Sequence, residues 1–298
     1  MNHKQIAIFG EALFDYFPNG LQVLGGAPFN VAWHLQAFAQ RTCFISRIGS
    51  DTKGDEIRQA MLSWGMAVDQ LQVDRVYPTG TVQVVINDGE PDYVILANQA
   101  YDFIDAQQLD TERHYSVIYH GTLALRNSVS EQAFLRLISG HQGKIFIDVN
   151  LRPPWWHSES VKQWLAKADW VKLNQDELRQ LIPQKNTLQA TMWQFLAQYE
   201  LEVLVVTCGS QGALALNNLN EFIEVLPNKA LRLVDTVGAG DAFSAVLLLG
   251  MQQGWSLQLI MERAQVFASA LVTQTGATVQ DLTFYQPFIS DWNLDYSK

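Results

Sequence analysis

Short apolar runs alternate along most of the chain with longer stretches whose apolar residues recur every three or four positions. Ile6 to Phe9, Thr42 to Ile48, Ser116 to His120, Lys144 to Val149, Asp169 to Leu173, Leu201 to Thr207 and Leu231 to Val234 are of the first kind and read as strands. The helical spacing is carried by Val31, Leu35 and Phe38, by Ile57, Met61 and Trp64, by Phe134, Leu137 and Ile138, and by Phe243, Val246, Leu247 and Gly250. Ser256 caps a last long helix that reaches Thr275 and stops at Gly276. Strand and helix in alternation predict an α/β fold around a mostly parallel sheet. Two stretches break the alternation. Thr79 to Ile86 and Tyr93 to Ala97 read as a hairpin joined by Asn87-Asp88-Gly89-Glu90-Pro91, and Ala213 to Leu216 pairs with Phe222 to Leu226. A hairpin is not stable alone, so the first of these is expected to form a lid over the strand ends.

The stretch Val234 to Ser244 is where chemistry is expected. A strand, a loop of small residues and a helix over Ala242 to Gly250 leave backbone N–H groups pointing at one spot, where the helix dipole adds positive character. An anion such as a phosphate can sit there without a lysine. Gly238 and Gly240 let the backbone approach closely. Asp241 repels a phosphate and so needs a reason: it either caps the helix or favours its N-terminus, or it acts as a general base toward an attacking hydroxyl. Phe243 stands where G-x-G-x-x-G needs its last glycine, and G-x-x-x-x-G-K-[ST] is absent from the sequence.

Other polar residues lie just past predicted strands, where α/β sheets bind ligands. Asp15 suits a sugar hydroxyl or a plain turn; Gly25, Gly26 and Asn30 open a helix beside Pro28, as a ligand approach or as a hinge. Gly49, Asp51 and Gly54 shape a turn, and Tyr101-Asp102-Phe103 lies at the return of the lid hairpin. Arg152 offers a planar fork for phosphate or sugar oxygens, while Trp155 and Trp156 read as packing. Asn174 and Glu177 have the spacing of a capping box, and would equally orient the waters of a magnesium ion. Thr207, Gly209 and Gly212 form a turn that could clasp a nucleotide.

Composition narrows the partners. The 298 residues are 48% apolar, enough for a full core, and a formal charge of −10 disfavours nucleic acid and anionic membrane. Cys43 and Cys208 lie in no ligand spacing and read as buried free thiols, in keeping with a reducing cytoplasm. The six histidines form no H-E-x-x-H, the apolar run Ile6 to Phe9 before Glu11 reads as too short for a signal peptide, and the longest apolar stretch, near Ala242 to Met251, is too short for a membrane span.

Together these motifs resemble the ribokinase-like (PfkB) carbohydrate kinase family. Asp235 to Phe243 resembles its C-terminal signature; Gly25-Gly26-x-x-x-Asn30 with Gly49-x-Asp51-x-x-Gly54 resembles the N-terminal one; Asn174-x-x-Glu177 and Thr207-x-Gly209-x-x-Gly212 resemble its metal and nucleotide motifs. Gly10-Glu11-Ala12-Leu13-x-Asp15, Ala100 to Ile104, Gly121 to Ala124 and Asp148-x-Asn150-Leu151-Arg152 are most similar to bacterial fructokinases, less so to 2-keto-3-deoxygluconate kinases. The resemblance implies a ribokinase-like three-layer α/β fold, a mostly parallel central sheet flanked by helices with a small β lid, in a single domain over residues 1–298 with lid segments at about 16–24 and 78–104. It implies ATP-dependent phosphorylation of a primary sugar hydroxyl, with fructose 6-phosphate as the expected product. Asp241 would be the base, and N–H groups of Gly238, Ala239 and Gly240 the anion hole. Asp15, Gly25, Gly26, Asn30, Tyr101 and Arg152 would bind the sugar; Asn174, Thr207, Gly209, Gly212 and Gln265 would hold ATP. Glu177 would act on Mg2+ through water, Asp235 and Val237 would bind K+, and a homodimer would form through the lid.

Two departures qualify the likeness. The run between Asp15 and Gly25 is shorter than usual, so one lid segment is expected to be missing, and Gln265 stands where relatives often carry asparagine. Readings of other classes are a silent sugar-binding regulator on the same fold, against which the intact Asp241 and glycine loop speak, and a nicotinamide-dependent oxidoreductase, against which the missing G-x-G-x-x-G speaks.

Overall fold

The computed structural model describes residues 5–87, 90–228 and 233–294. The chain divides into two compact units: Met1–Tyr115, Ala124–His141 and Thr278–Lys298 form one, and Ser116–Leu123 with Gln142–Ala277 the other.

The first unit opens with strand β1 (Gln5–Phe9), the strand pair β2 (Leu13–Tyr16) and β3 (Gln22–Gly25), and helix α1 (Ala27–Ala37). Strand β4 (Thr42–Gly49), helix α2 (Thr52–Ser63), strands β5 (Leu71–Asp74), β6 (Gly80–Asn87) and β7 (Glu90–Ile95), and helix α3 (Ser128–Ile138) follow. β1, β4 and β5 run parallel, and Phe9 meets Phe134 of α3 edge-on at 5.3 Å. α1 buries nearly every position; Phe29 packs edge-on against Phe44 of β4, and Trp33 stacks on Trp64 at 4.6 Å.

A second sheet has the order β3-β2-β6-β7. β6 and β7 are the expected hairpin, although Asp88 and Gly89 of its turn lie outside the described residues. The run thought too short for a lid segment nevertheless supplies two strands. A tight turn, with Phe17 N–H donating to Leu21 O at 2.9 Å, returns the chain, and Asp15 sits within β2 instead of beyond a strand end. β5, and the helices at Ser158–Leu165 and Leu188–Gln198, were not expected from the sequence.

Buried charge fixes the base of the hairpin. Arg126 donates through Nε to Asp102 Oδ1 (2.7 Å) and through Nη2 to Asp102 Oδ2 (2.8 Å), Leu96 O and Tyr101 Oη. Asp51 accepts from the Thr79 N–H and hydroxyl and from the Gly54 N–H, so the first leg of the hairpin is tied to the start of α2. A side-chain carbon on Gly54 would run into the Gly49 carbonyl, which is why this turn requires glycine.

In the second unit β8 (Tyr115–His120), β9 (Lys144–Asp148), α4 (Ser158–Leu165), β10 (Trp170–Asn174), α5 (Gln175–Leu181), α6 (Leu188–Gln198) and β11 (Val203–Thr207) follow in turn. β12 (Ala213–Asn217), β13 (Phe222–Val225), α7 (Ala239–Gln253) and α8 (Leu257–Leu271) complete it. β8 to β11 are parallel neighbours, and β12 and β13 add antiparallel edges. Their near-continuous apolar runs are those of strands covered on both faces. α7 lies against α8, and Gly250 leaves the room that Ile260 fills.

The strand expected at 231–234 is not found. Leu231 and Arg232 lie outside the described residues, while Leu233 and Val234 are exposed and outside any strand. Val234 and Asp235 instead donate their N–H groups to Val272 O, which ends α8 at Leu271, short of Thr275. Cys208 is half-buried, not buried; Cys43 is buried. Among the described residues no helix is long and apolar enough to cross a membrane.

Breaking the Arg126–Asp102 pair strands a buried carboxylate, the side chains being 5% and 1% exposed. Arg126→Met is expected to cost about 3–5 kcal/mol of stability, read by urea unfolding. For Asp51, burial pushes the carboxyl up, but the donors from Thr79, Gly54 and Lys53 outweigh it and leave it below its ordinary 3.8. Its stabilisation is therefore present above that value and lost as pH falls through the lower folded one. The stability gap between wild type and Asp51→Asn should be full at neutral pH and close in acid; a gap independent of pH would contradict this.

Candidate active site

In the second unit, α7 begins earlier than expected, at Ala239, because Gly238 takes the left-handed conformation (φ 78°) and serves as its N-cap. A side-chain carbon there would lie 2.5 Å from Ala277 Cα, so glycine is required twice over. Asp241 falls at the third helical position, half-buried, and so is not the cap but an acidic residue in the first turn, where the helix dipole favours it. The N–H groups of Gly238 and Gly240 have no hydrogen-bond partner among the described residues, while that of Ala239 donates to Thr236 O at 3.3 Å. Of the three donors expected to face an anion, two are open and the third is engaged in the turn.

Beneath this turn lies a charged cluster that the sequence reading missed. Asp148 Oδ2 accepts from Lys172 Nζ (2.7 Å), Ser244 Oγ (2.7 Å) and Tyr119 Oη (3.2 Å). Lys172 and Asp148 are direct partners across β10 and β9, with side chains 6% and 5% exposed. The signal was available: a lysine inside the apolar run Trp170-Val171-Lys172-Leu173 requires a counter-charge if the strand is buried.

Asn174 caps α5, its Oδ1 accepting from the Asp176 and Glu177 N–H groups at 2.9 Å. Glu177 Oε2 accepts from Asn174 N–H (2.8 Å), completing the capping box, and Oε1 accepts from Leu151 N–H (2.7 Å). Glu177 is thus bound to the loop that carries Asn150 (φ 46°) and the exposed Arg152. Burial pushes its carboxyl above the ordinary range; the N–H groups of Asn174 and Leu151 and the Lys172 charge oppose this, and Asp148 adds to it.

Thr207, Gly209 and Gly212 make the expected turn, Cys208 N–H donating to Gly212 O at 2.7 Å. Gly212 has φ 95°, and any side chain on it would strike the Val225 carbonyl. Gln265 on α8 donates through Nε2 to Ser269 Oγ at 3.0 Å. The Asp235 carboxylate accepts from the Val237 N–H (3.0 Å) and the Gly276 N–H (2.9 Å). Among the described residues no three His, Cys, Asp or Glu side chains converge to hold a metal. A magnesium ion that keeps most of its waters, held by substrate phosphates with Glu177 behind those waters, is compatible with this donor set.

In the first unit, Asp15 and Asn30 converge over Gly25, where a side-chain carbon would lie 3.6 Å from Asp15 Oδ2 and 3.9 Å from Asn30 Oδ1. Gly26 (φ 107°) caps α1 with no side-chain bond, and an added carbon would lie 2.6 Å from Glu11 O. Glu11, part of the motif Gly10 to Asp15 but given no role there, is itself buried. Tyr101, expected at a sugar, is fully buried: its ring lies against Gly80 and its hydroxyl accepts from Arg126.

The sequence matches the pfkB family carbohydrate kinases over residues 12–283. It is 29% identical to a fructokinase of Escherichia coli, covering 92% of this chain and 94% of that one, and 27% identical to an aminoimidazole riboside kinase of Salmonella typhimurium, covering 92% and 91%. The crystal structure of a double mutant of Vibrio cholerae O395 fructokinase, with fructose, ADP and a potassium ion bound, superposes with a TM-score of 0.82 at 25% identity, covering 95% of this chain and 98% of that chain. The fold is therefore the ribokinase-like α/β fold of carbohydrate kinases. This chain belongs to the pfkB family and is a carbohydrate kinase.

In Glu177→Gln the amide can accept only one of the two N–H groups that the carboxylate accepts, and its NH2 faces the other. A loss of about 1–3 kcal/mol in stability is expected, with faster hydrogen exchange at the Leu151 or Asn174 amide. Unchanged exchange at both would show that Glu177 does not anchor the loop.

Proposed function

We propose that this kinase transfers the γ-phosphoryl group of ATP to the 6-hydroxyl of fructose. The observation that carries the reading is Asp241 in the first turn of α7, beside the open N–H groups of Gly238 and Gly240. In this reading the acceptor hydroxyl gives its proton to the Asp241 carboxylate as its oxygen bonds to phosphorus. The bond from phosphorus to the bridging oxygen breaks, and ADP leaves with that electron pair. The open amides steady the charge on the transferring group, which in phosphoryl transfer is spread over three oxygens. Magnesium, when bound, neutralises charge on the phosphates; Asn174 and Glu177 would orient its waters. Main-chain carbonyls near Asp235 and Val237 would hold potassium, and the turn Thr207 to Gly212 and Gln265 the nucleotide.

The acceptor would be held by the Asp15 carboxylate and the Asn30 amide around Gly25 and Gly26, groups that suit the vicinal hydroxyls of a sugar. Fructose is favoured by the fructokinase relatives. An aminoimidazole riboside kinase of similar coverage makes a nucleoside-like acceptor the second reading.

Two measurements test this. Across fructose, 2-keto-3-deoxygluconate, ribose and nucleosides, ADP release should be fastest with fructose; release with none of them would favour a silent binder. Asp241→Asn should keep the fold and sugar affinity and lose turnover by about 100-fold or more, the range of general base catalysis. Unchanged turnover would falsify the assignment of the base.

A further inference from the structure

We propose that Lys172 is a positioning residue for phosphoryl transfer: its ammonium, held by Asp148, places a fixed positive charge under the Gly238–Gly240 turn. The inference rests on the assignment of that turn to the phosphoryl group.

Four carboxylates belong to this part of the unit: Asp148 at the end of β9, Glu177 in the first turn of α5 just after β10, Asp235 before the α7 turn, and Asp241 in it. A phosphoryl group adds negative charge to them, and the chain as a whole carries −10. Open amides and a helix terminus supply partial charges only. Lys172 brings a full positive charge close to the turn. A side-chain carbon on Gly240 would lie 3.5 Å from Lys172 Nζ, so the ammonium lies close against the Gly240 backbone. An ammonium has three N–H donors, and Asp148 is its one hydrogen-bond partner among the described residues.

The counter-charge is shared. Asp148 Oδ2 also accepts from Ser244 and Tyr119, so the carboxylate is satisfied by groups on β8 and α7 as well as by the lysine. Ser244 lies in α7, close after Asp241, so the same oxygen fixes the ammonium and the helix whose first turn it underlies. Charge that is already oriented needs no reorganisation when the reaction redistributes charge over the phosphoryl oxygens. The alternative is that Lys172 only compensates Asp148 within the core. The two differ in what happens when both charges are removed together.

The test compares Lys172→Met, Lys172→Arg and the double variant Lys172→Met with Asp148→Asn. Lys172→Met should lower kcat by about 10-fold or more, the factor that about 1.36 kcal/mol of lost transition-state stabilisation represents. KM for the sugar and the affinity for ADP by calorimetry should stay within about threefold, since neither ligand carries the transferring group; that tolerance is set well under the tenfold that 1.4 kcal/mol represents. Lys172→Arg should recover part of kcat. The double variant should regain the thermal stability lost in Lys172→Met without regaining kcat. Recovery of both in the double variant would overturn the proposal and leave Lys172 a structural counter-ion. Asp241→Asn separates the two levels: if that variant keeps its turnover, the assignment of the α7 turn fails; if it is inactive while the double variant is active, only the role of Lys172 fails.

Discussion

A buried carboxylate must find donors, and Asp148 finds three of them with one oxygen. Left unpaired, such a charge would cost several kcal/mol, more than most single contacts in a protein supply. Satisfying it binds Tyr119 of β8, Lys172 of β10 and Ser244 of α7 to the end of β9. The helix that carries Asp241 is thus referenced to the parallel strands by a hydrogen bond, not by apolar packing alone. Apolar contact tolerates small slides between helix and sheet, whereas a 2.7 Å bond to a fixed oxygen does not.

Much of the architecture was legible because the parallel strands are buried on both faces and so appear as unbroken apolar runs, and because the helices carry one apolar stripe. The capping box at Asn174 and Glu177 could be read from spacing alone, since both of its bonds are local. Longer-range facts could not be read. The pairing of Lys172 with Asp148 depends on the register of β10 against β9, which periodicity does not specify. Glu177 reaching Leu151 depends on where the loop after β9 turns. The first turn of α7 was misplaced by three residues, from 242 to 239, because the left-handed Gly238 begins a helix that composition presents as loop. Strand β3 escaped notice because a four-residue strand at a sheet edge has too few positions to show alternation.

Several of the candidate site residues carry clear structural duties. Asn174 and Glu177 complete the capping box, and Glu177 also ties down the Leu151 amide. The backbone bonds of Glu177 hold its carboxylate in place, so that whatever it orders beyond them is ordered from a rigid group. The Asp235 carboxylate likewise spends its oxygens on the Val237 and Gly276 amides and so shapes the approach to the α7 turn. At such positions the bland and the functional interpretation of a sequence motif are compatible, since fixing a local turn is how these side chains are aimed.

The two feet of the β6–β7 hairpin are gripped by side chains from elsewhere in their unit, Thr79 by Asp51 and Asp102 by Arg126. Everything distal to these clasps can lengthen, shorten or change its surface without disturbing the body beneath. Descendants of such a chain could therefore vary along the outer strands while both ties to the rest of the unit persist.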